Sequence, residues 1–339
     1  MSTVTTPTIA THEVTGPSGH PIARYLAKRL IVGVVMLAIV SIAVFFFTQA
    51  LPGDVARQIL GQNATQAQLE ALRDQLGLHR PVIVQYLDWV RGMVSGQFGT
   101  SLTSGLPVAR EIAPRLANST MLVGITVIIL VPLALLLGTS AALRPRGFTD
   151  GFVSAAVLVI IALPEFIIAI LVIALLATNV IKVFPPTSIV DAGLPIWQQG
   201  NLLALPVLTL VIGSIPYFTE SVRTTVREEL GSEYVVWARL SGVAERRVLW
   251  RYAMPNAIGP SLQVIGTTLV YLTGGIVAVE NVFAFPGIGA ALTAAVANRD
   301  IPVVQTIAML LATAALVIYL IADVCGILLT PKLRTALTS

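Results

Sequence analysis

The sequence predicts an all-α polytopic membrane protein with six transmembrane helices and a small extracytoplasmic subdomain after the first. Hydrophobic residues make up 55% of the 339-residue chain and charged residues only 11%, a balance too apolar for a soluble globule of this size. Apolar runs long enough to cross a hydrocarbon core about 30 Å thick recur six times. The basic residues gather at the ends of those runs. The formal charge of +4 therefore reports topology, and the nucleic-acid partner it would otherwise suggest is excluded.

Residues 1–21 are rich in Thr, Pro, Gly and Ser and show no periodicity that could bury a face, which predicts a disordered tail. Leu30 to Leu51, preceded by Arg24, Lys28 and Arg29, is the first span. It is longer than a signal-peptide core, its basic flank lies deep in the chain, and no small-x-small cleavage site follows. From Pro52 to Asn118 the chain turns polar for long enough to make the subdomain. Thr65 to Leu76 reads as a capped helix, and Pro81 opens another with Ile83, Tyr86, Leu87, Val90 and Val94 on one face. Gly96, Gly99 and Gly105 mark turns before an amphipathic piece from Pro107 to Leu116. The remaining spans are Met121 to Leu143, Phe152 to Ala177, Leu202 to Phe218, Leu262 to Val282 and Val303 to Leu329, with kinks expected at Pro132, Pro164, Pro206 and Pro216.

Orientation follows from the basic residues of the short loops and flanks. With the N-terminus inside, the cytoplasmic side receives Arg24, Lys28, Arg29, Arg144, Arg146, Arg223, Arg227, Arg239, Arg246, Arg247, Arg251, Lys332 and Arg334, whereas the short outer loops hold only Lys182 and Arg299. Both termini are expected in the cytoplasm.

Between the fourth and fifth spans, Ser232 to Pro260 carries Glu233, Arg239, Glu245, Arg246, Arg247 and Arg251, charges too costly to leave in hydrocarbon. Val235, Val236 and Leu240, then Val243, Val248, Leu249 and Tyr252, recur at helical spacing, and Ser241-Gly242 separates the two sets. Two short amphipathic helices joined by a tight turn result. Val236-Trp237-Ala238, three residues, Gly242, nine residues, then Tyr252-Ala253-Met254-Pro255 resembles the EAA loop of ABC-importer permeases, with Val236 where that loop's glutamate would stand. LPGD at Leu51 to Asp54, LGLHRPVIVQYLDWV at Leu76 to Val90 and GQFGTSL at Gly96 to Leu102 resemble the dipeptide and oligopeptide (peptide/nickel) branch of the same family. So do ENVFAFPGIG, beginning at Glu280, and RDIPVVQ, ending at Gln305.

The chemistry that is missing narrows the function. Lys28, Lys182 and Lys332 are the only lysines and none follows a glycine, so the chain has no G-x4-G-K-[ST] phosphate loop. His12, His20 and His79 all fall outside the spans, which leaves a membrane-embedded hydrolase without its base and a zinc helix without its second histidine. The single Cys325 permits no internal disulfide. Acidic residues at the spans are candidates for function because of what they cost there. Glu220 and Asp323 are read as partners of nearby arginines. Glu165, after Pro164, is a candidate for the polar lining of a pathway, where it would meet the cationic amino end of a peptide. Tyr271 and Glu280 are further pathway candidates, although Glu280 stands in the segment resembling the family's E-x-V-F-x-x-P-G-x-G, which favours a structural or gating role.

The resemblance implies a type I ABC-importer permease fold in the bacterial cytoplasmic membrane. Residues 22–339 would form the permease domain, with 52–118 as its extracytoplasmic subdomain and 223–260 as its cytoplasmic coupling loop. It also implies a sister permease subunit, two ATPase subunits that carry the ATP and Mg, and an extracytoplasmic substrate-binding protein. The chain itself would bind no cofactor or metal and would not be an enzyme. Val236, Trp237, Ala238, Arg239, Gly242, Tyr252, Met254 and Pro255 would carry ATPase coupling, and transport would run by alternating access. The implied cargo is a peptide; glutathione and nickel or another metal chelate stay open within the family. An ion-coupled secondary transporter, built on a broken helix such as that at Pro164-Glu165, is a more distant alternative.

Overall fold

The computed structural model describes residues 21–49, 57, 60, 64–75, 79–178, 182–190 and 198–329; among these the chain is helical, with no β-strand and one isolated bridge between Thr100 and Pro107. The expected tail over 1–20, the LPGD string and the basic pair Lys332 and Arg334 lie outside the described residues.

Two apolar helices join the ends of the chain. α1 (Pro21–Gln49) packs along the last helix, α12 (Ile301–Leu329). Polar links close the seam at several heights: Arg29 Nε lies 3.1 Å from Asp323, and Gln305 Nε2 donates to Thr48 Oγ1 at 2.7 Å. Asp323 has the arginine partner that its position at a span end predicts.

The segment between α1 and the next long helix, read from sequence as a subdomain, holds α2 (Gln66–Gln75) and α3 (Val82–Val94). Thr65 caps α2 reciprocally, its backbone N donating to Gln68 Oε1 at 2.9 Å while Gln68 N faces Thr65 Oγ1 at 3.4 Å, the geometry of a capping box. The inward face of α3 differs from the expected one. Tyr86 and Trp89 close an aromatic cluster on Phe45 of α1, with ring centroids 5.4 and 5.6 Å away, whereas Ile83, Leu87 and Val94 are exposed. Apolar residues surround this helix on more than one side, so spacing alone left the face ambiguous and the aromatic pair decided it. Gly96, Gly99 and Gly105 all stand at positive φ, as the expected turns require.

α4 (Val108–Leu143) runs unbroken for 36 residues. The amphipathic piece from Pro107 and the span from Met121 are thus one helix of about 54 Å, longer than a hydrocarbon core of about 30 Å. Nothing in ANST, residues 117–120, breaks it: Asn118 Nδ2 instead donates to Pro286 O at 2.9 Å. The third expected span is not one kinked helix. α5 (Phe148–Ile161) and α6 (Glu165–Ile173), which continues as a π-helical turn to Thr178, meet at 104°. Pro164 has no N–H and keeps the preceding residue out of the helical region, and at ψ 147° it begins a new helix rather than bending the old one.

α7 (Gly200–Leu230) is the buried centre, running past Pro206 and Pro216 without a break. α8 (Glu233–Leu240) and α9 (Glu245–Arg247) follow, and the latter passes through a π-helical turn at Val248–Ala253 into α10 (Met254–Val282). A ten-residue helix that the sequence did not signal, α11 (Ile288–Ala297), precedes α12. The main core lies among α4, α6, α7 and α10, around Leu130, Ile168, Leu210, Leu272 and Phe283. By length and composition α1, α4, α7 and α12 can each cross a membrane, and α5 with α6 are together apolar enough for a broken span or a re-entrant pair. The 29 residues of α10 cover the expected span at Leu262 to Val282.

Candidate functional site: an extramembrane helix pair and a broken-helix cluster

The loop between α7 and α10 is built from inside outward. Val235 and Ala238 of α8 pack on Val248, with Tyr234, Val243 and Tyr252 around them. The turn after α8 is a Schellman motif: Gly242 N donates to Arg239 O at 2.9 Å and Val243 N to Ala238 O at 3.1 Å, which needs a left-handed residue at Gly242, here at φ +79°. Arg239 clamps the two helices together. Its guanidinium lies 2.8 Å from Glu245 Oε1 and donates to Leu230 O at 3.2 Å. Tyr234 donates to Glu229, and Asn256 Nδ2 donates to Tyr234 Oη at 3.0 Å, which ties α8 to the ends of α7 and α10. Burial pushes the Tyr234 phenol up, and the Glu229 contact adds to this, so it stays a donor.

With the inner face so occupied, the outer face of α8 presents three uncovered apolar side chains after the exposed Glu233 at its start. Val236 is 44% exposed, Trp237 69% and Leu240 74%. Three such side chains at i, i+1 and i+4 on an eight-residue helix form a patch that water does not favour. The residues expected to carry coupling divide accordingly. Val236 and Trp237 face out, Arg239 and Gly242 set the geometry, and Tyr252 holds the second helix, joined there by Asn256, which the sequence reading had not named. Ala238 and Met254 are buried, Met254 among Val222 and Val226 of α7 and Ala142 of α4. Pro255 is the second residue of α10, directly after the π-helical turn. Leu240 was read only as a periodic apolar position; its exposure makes it part of the patch.

Glu165 opens α6 immediately after the break, half-buried between α7 and α10. Gly213 and Gly275 flank it: a Cβ on either would lie in ordinary van der Waals contact with the Glu165 side chain, at 3.5 Å and 3.4 Å. The Tyr271 hydroxyl is in interaction range of the Glu165 carboxylate and the Tyr217 hydroxyl, and the two tyrosine rings lie 5.2 Å apart. Tyr271 is 46% exposed. One carboxylate and two phenols, from three helices, thus meet beside a helix break. Tyr217 was not singled out from sequence, because it lies three residues before a charged turn in an otherwise apolar run.

Glu280 is placed differently. It is fully buried and accepts from Ser119 Oγ at 2.5 Å, Gly289 N at 2.7 Å and Ala290 N at 3.1 Å, while Ile288 N donates to Ser119 Oγ at 2.8 Å. Glu280 and Ser119 therefore take up the first three free N–H groups of α11, with the carboxylate at the positive end of that helix. The approach is so close that a Cβ at Gly287 would fall 2.0 Å from Glu280 Oε1. Another acid absent from the sequence reading, Asp150, holds Arg223 at 2.8 Å and Arg227 at 2.7 Å, joining the start of α5 to the end of α7. Glu220 pairs with Arg223 at 2.7 Å, as expected.

Residues 134–335, which include the whole of α7 to α11, match the family described as binding-protein-dependent transport system inner membrane component, and residues 22–111 match the N-terminal component of the same systems. The chain belongs to this permease family. Among its relatives, a Sinorhizobium fredii protein named "Probable peptide ABC transporter permease protein y4tP" is 32% identical over 312 residues, 91% of this chain and 99% of that one. The oligopeptide transport system permease protein AppB of Bacillus subtilis is 29% identical, covering 92% of this permease and 99% of AppB. The glutathione transport system permease protein GsiC of Salmonella typhimurium is 31% identical, over 91% and 98% of the two chains. This permease is accordingly a membrane-embedded component of a transport system, and α8 and Glu165 are features of a transport subunit.

Proposed function

We propose that the chain is one permease subunit of an ATP-driven peptide importer and forms half of its translocation pathway, with six spans of which α10 is the fifth. The observation that carries this reading is the uncovered apolar face of α8, mounted rigidly on the ends of α7 and α10. Such a face fits a groove on a separate ATPase subunit, which would hold the ATP and Mg. A sister permease completes the pathway, and an external binding protein delivers the cargo. In proteoliposomes holding both permeases, uptake of a labelled oligopeptide is expected only with the ATPase subunits, ATP and the binding protein together. Uptake driven by an ion gradient alone would overturn the reading. The similarity to GsiC makes glutathione the second cargo for the same assay, with a nickel chelate as a third arm.

Orientation is tested by single cysteines in a Cys325→Ala background. Gln68 and Ala244 are both exposed; a cysteine at 68 is expected to react with an impermeant thiol reagent from outside, and one at 244 only after the membrane is opened. Labelling of position 244 from outside would reverse the topology.

Within the pathway, the Glu165–Tyr217–Tyr271 cluster is suited to a cationic amino end, through the carboxylate and the faces of the phenol rings. Glu165→Gln keeps size and removes charge. It is expected to slow uptake of free-amino peptides about tenfold while leaving amino-blocked peptides nearly unchanged. Equal loss for both would assign Glu165 to packing.

A further inference from the structure

The second helix of the loop carries charge that no acid among the described residues pairs with. An open cleft of about 530 Å³ is lined by Ala244, Arg246, Arg247, Trp250 and Arg251. Of the acids in and beside the loop, Glu245 is engaged with Arg239, Glu229 with Tyr234, and Asp150 and Glu220 with Arg223, while Glu228 and Glu233 are exposed and form no ion pair with these arginines. Arg246, Arg247 and Arg251 are exposed and have no ion-pair partner among the described residues. Three guanidiniums around one cleft repel one another unless they share an anion, and their planar donor forks suit phosphate oxygens.

The height of the cleft identifies the source of that phosphate. Leu249 and Met254 pack with Val222 and Val226 of α7 and Ala142 near the end of α4. Trp250 and Arg251 therefore lie at the level of Arg223 and Arg227, where α4 and α7 leave their apolar stretches and the basic residues begin. Trp250 is 59% exposed beside the arginines, an amphipathic ring at the depth where indoles anchor in headgroups. The outward face of α8 is apolar instead, so the two faces of the loop call for different partners.

We propose that Arg246, Arg247 and Arg251, with Trp250, bind the phosphate headgroup of an anionic phospholipid in the adjoining leaflet. The site goes beyond the coupling role of α8 and does not depend on which cargo is carried. The complete transporter, reconstituted in nanodiscs of phosphatidylcholine with or without phosphatidylglycerol, is released and its retained lipids are counted by native mass spectrometry. Wild type is expected to retain phosphatidylglycerol selectively. Each arginine changed to glutamine should weaken retention about fivefold, whereas Arg→Lys at all three positions, which keeps the charge but not the planar fork, should keep only part of it. Glycerol phosphate in solution should not displace the lipid. Undiminished retention in the triple glutamine variant would overturn the proposal, and displacement by soluble glycerol phosphate would replace the lipid with a free anion. Loss of ATPase subunits from that variant with lipid retention unchanged would overturn it in favour of an acidic ATPase surface. Since peptide uptake is not the readout, failure of the import reading would leave this result interpretable.

Discussion

Gly242→Val is expected to abolish coupled uptake while the permease still inserts and still pairs with its sister subunit. Gly242 is the left-handed residue of the Schellman turn that ends α8, at φ +79°, and a side chain there costs about 1–2 kcal/mol, more when β-branched. No atom lies within 4 Å of a Cβ built at Gly242, so the penalty is purely conformational and no clash confuses it. Relief comes by unwinding the turn. That breaks the bonds from Gly242 and Val243 to Arg239 and Ala238 and swings Val236, Trp237 and Leu240 away from their present direction. Substrate-stimulated ATP hydrolysis and uptake should fall together, and the ATPase subunits should co-purify less well. Gly242→Ala, which lacks the β-branch, should lie between valine and wild type. Full transport and full ATPase association in the valine variant would remove α8 as the coupling element.

Glu280→Ala is expected to destabilise the permease by about 3–5 kcal/mol, because it orphans buried donors and leaves a cavity in one step. The Ser119 hydroxyl and the Gly289 and Ala290 amides lose their acceptor in a place water does not reach. Gly287→Ala should do similar damage from the other side, since its methyl would overlap the carboxylate. A lowered melting temperature in detergent and loss of assembled complex are the expected readings for both. Had Glu280 served as pathway lining, Glu280→Gln would instead reduce uptake at unchanged stability, so measuring both quantities on Gln and Ala separates the two roles.

What was legible in the sequence followed from local rules. Spans α1 and α12, the Thr65 cap, the glycine turns and the two-helix loop around Gly242 all rest on residues close together in the chain. What was not legible depended on distant partners or on how strongly a local rule acts. Pro164 signalled a kink, but a bend of 104° reflects a helix that stops and restarts. α11 is short and Ala-rich, and its N-terminus is satisfied by Ser119 and Glu280, 169 and 9 residues away. Asp150 gave no sign of its role because Arg223 and Arg227 lie one full helix and more downstream. The face of α3 was only partly read for the same reason: Tyr86 belongs to it as expected, whereas Trp89, which also packs on Phe45, was not foreseen.

One uninterrupted helix carries both Tyr217, beside Glu165, and Leu230, whose carbonyl is held by the Arg239 clamp. The two are about 20 Å apart along its axis, and the Asp150 ion pairs fasten α5 to the same shaft between them. A tilt of α8 cannot then be absorbed locally. It must act as torque on a lever whose far arm ends at the tyrosines, and because α5 is tied to that lever by ion pairs and α6 by apolar packing, the corner at Pro164 between them is carried with it.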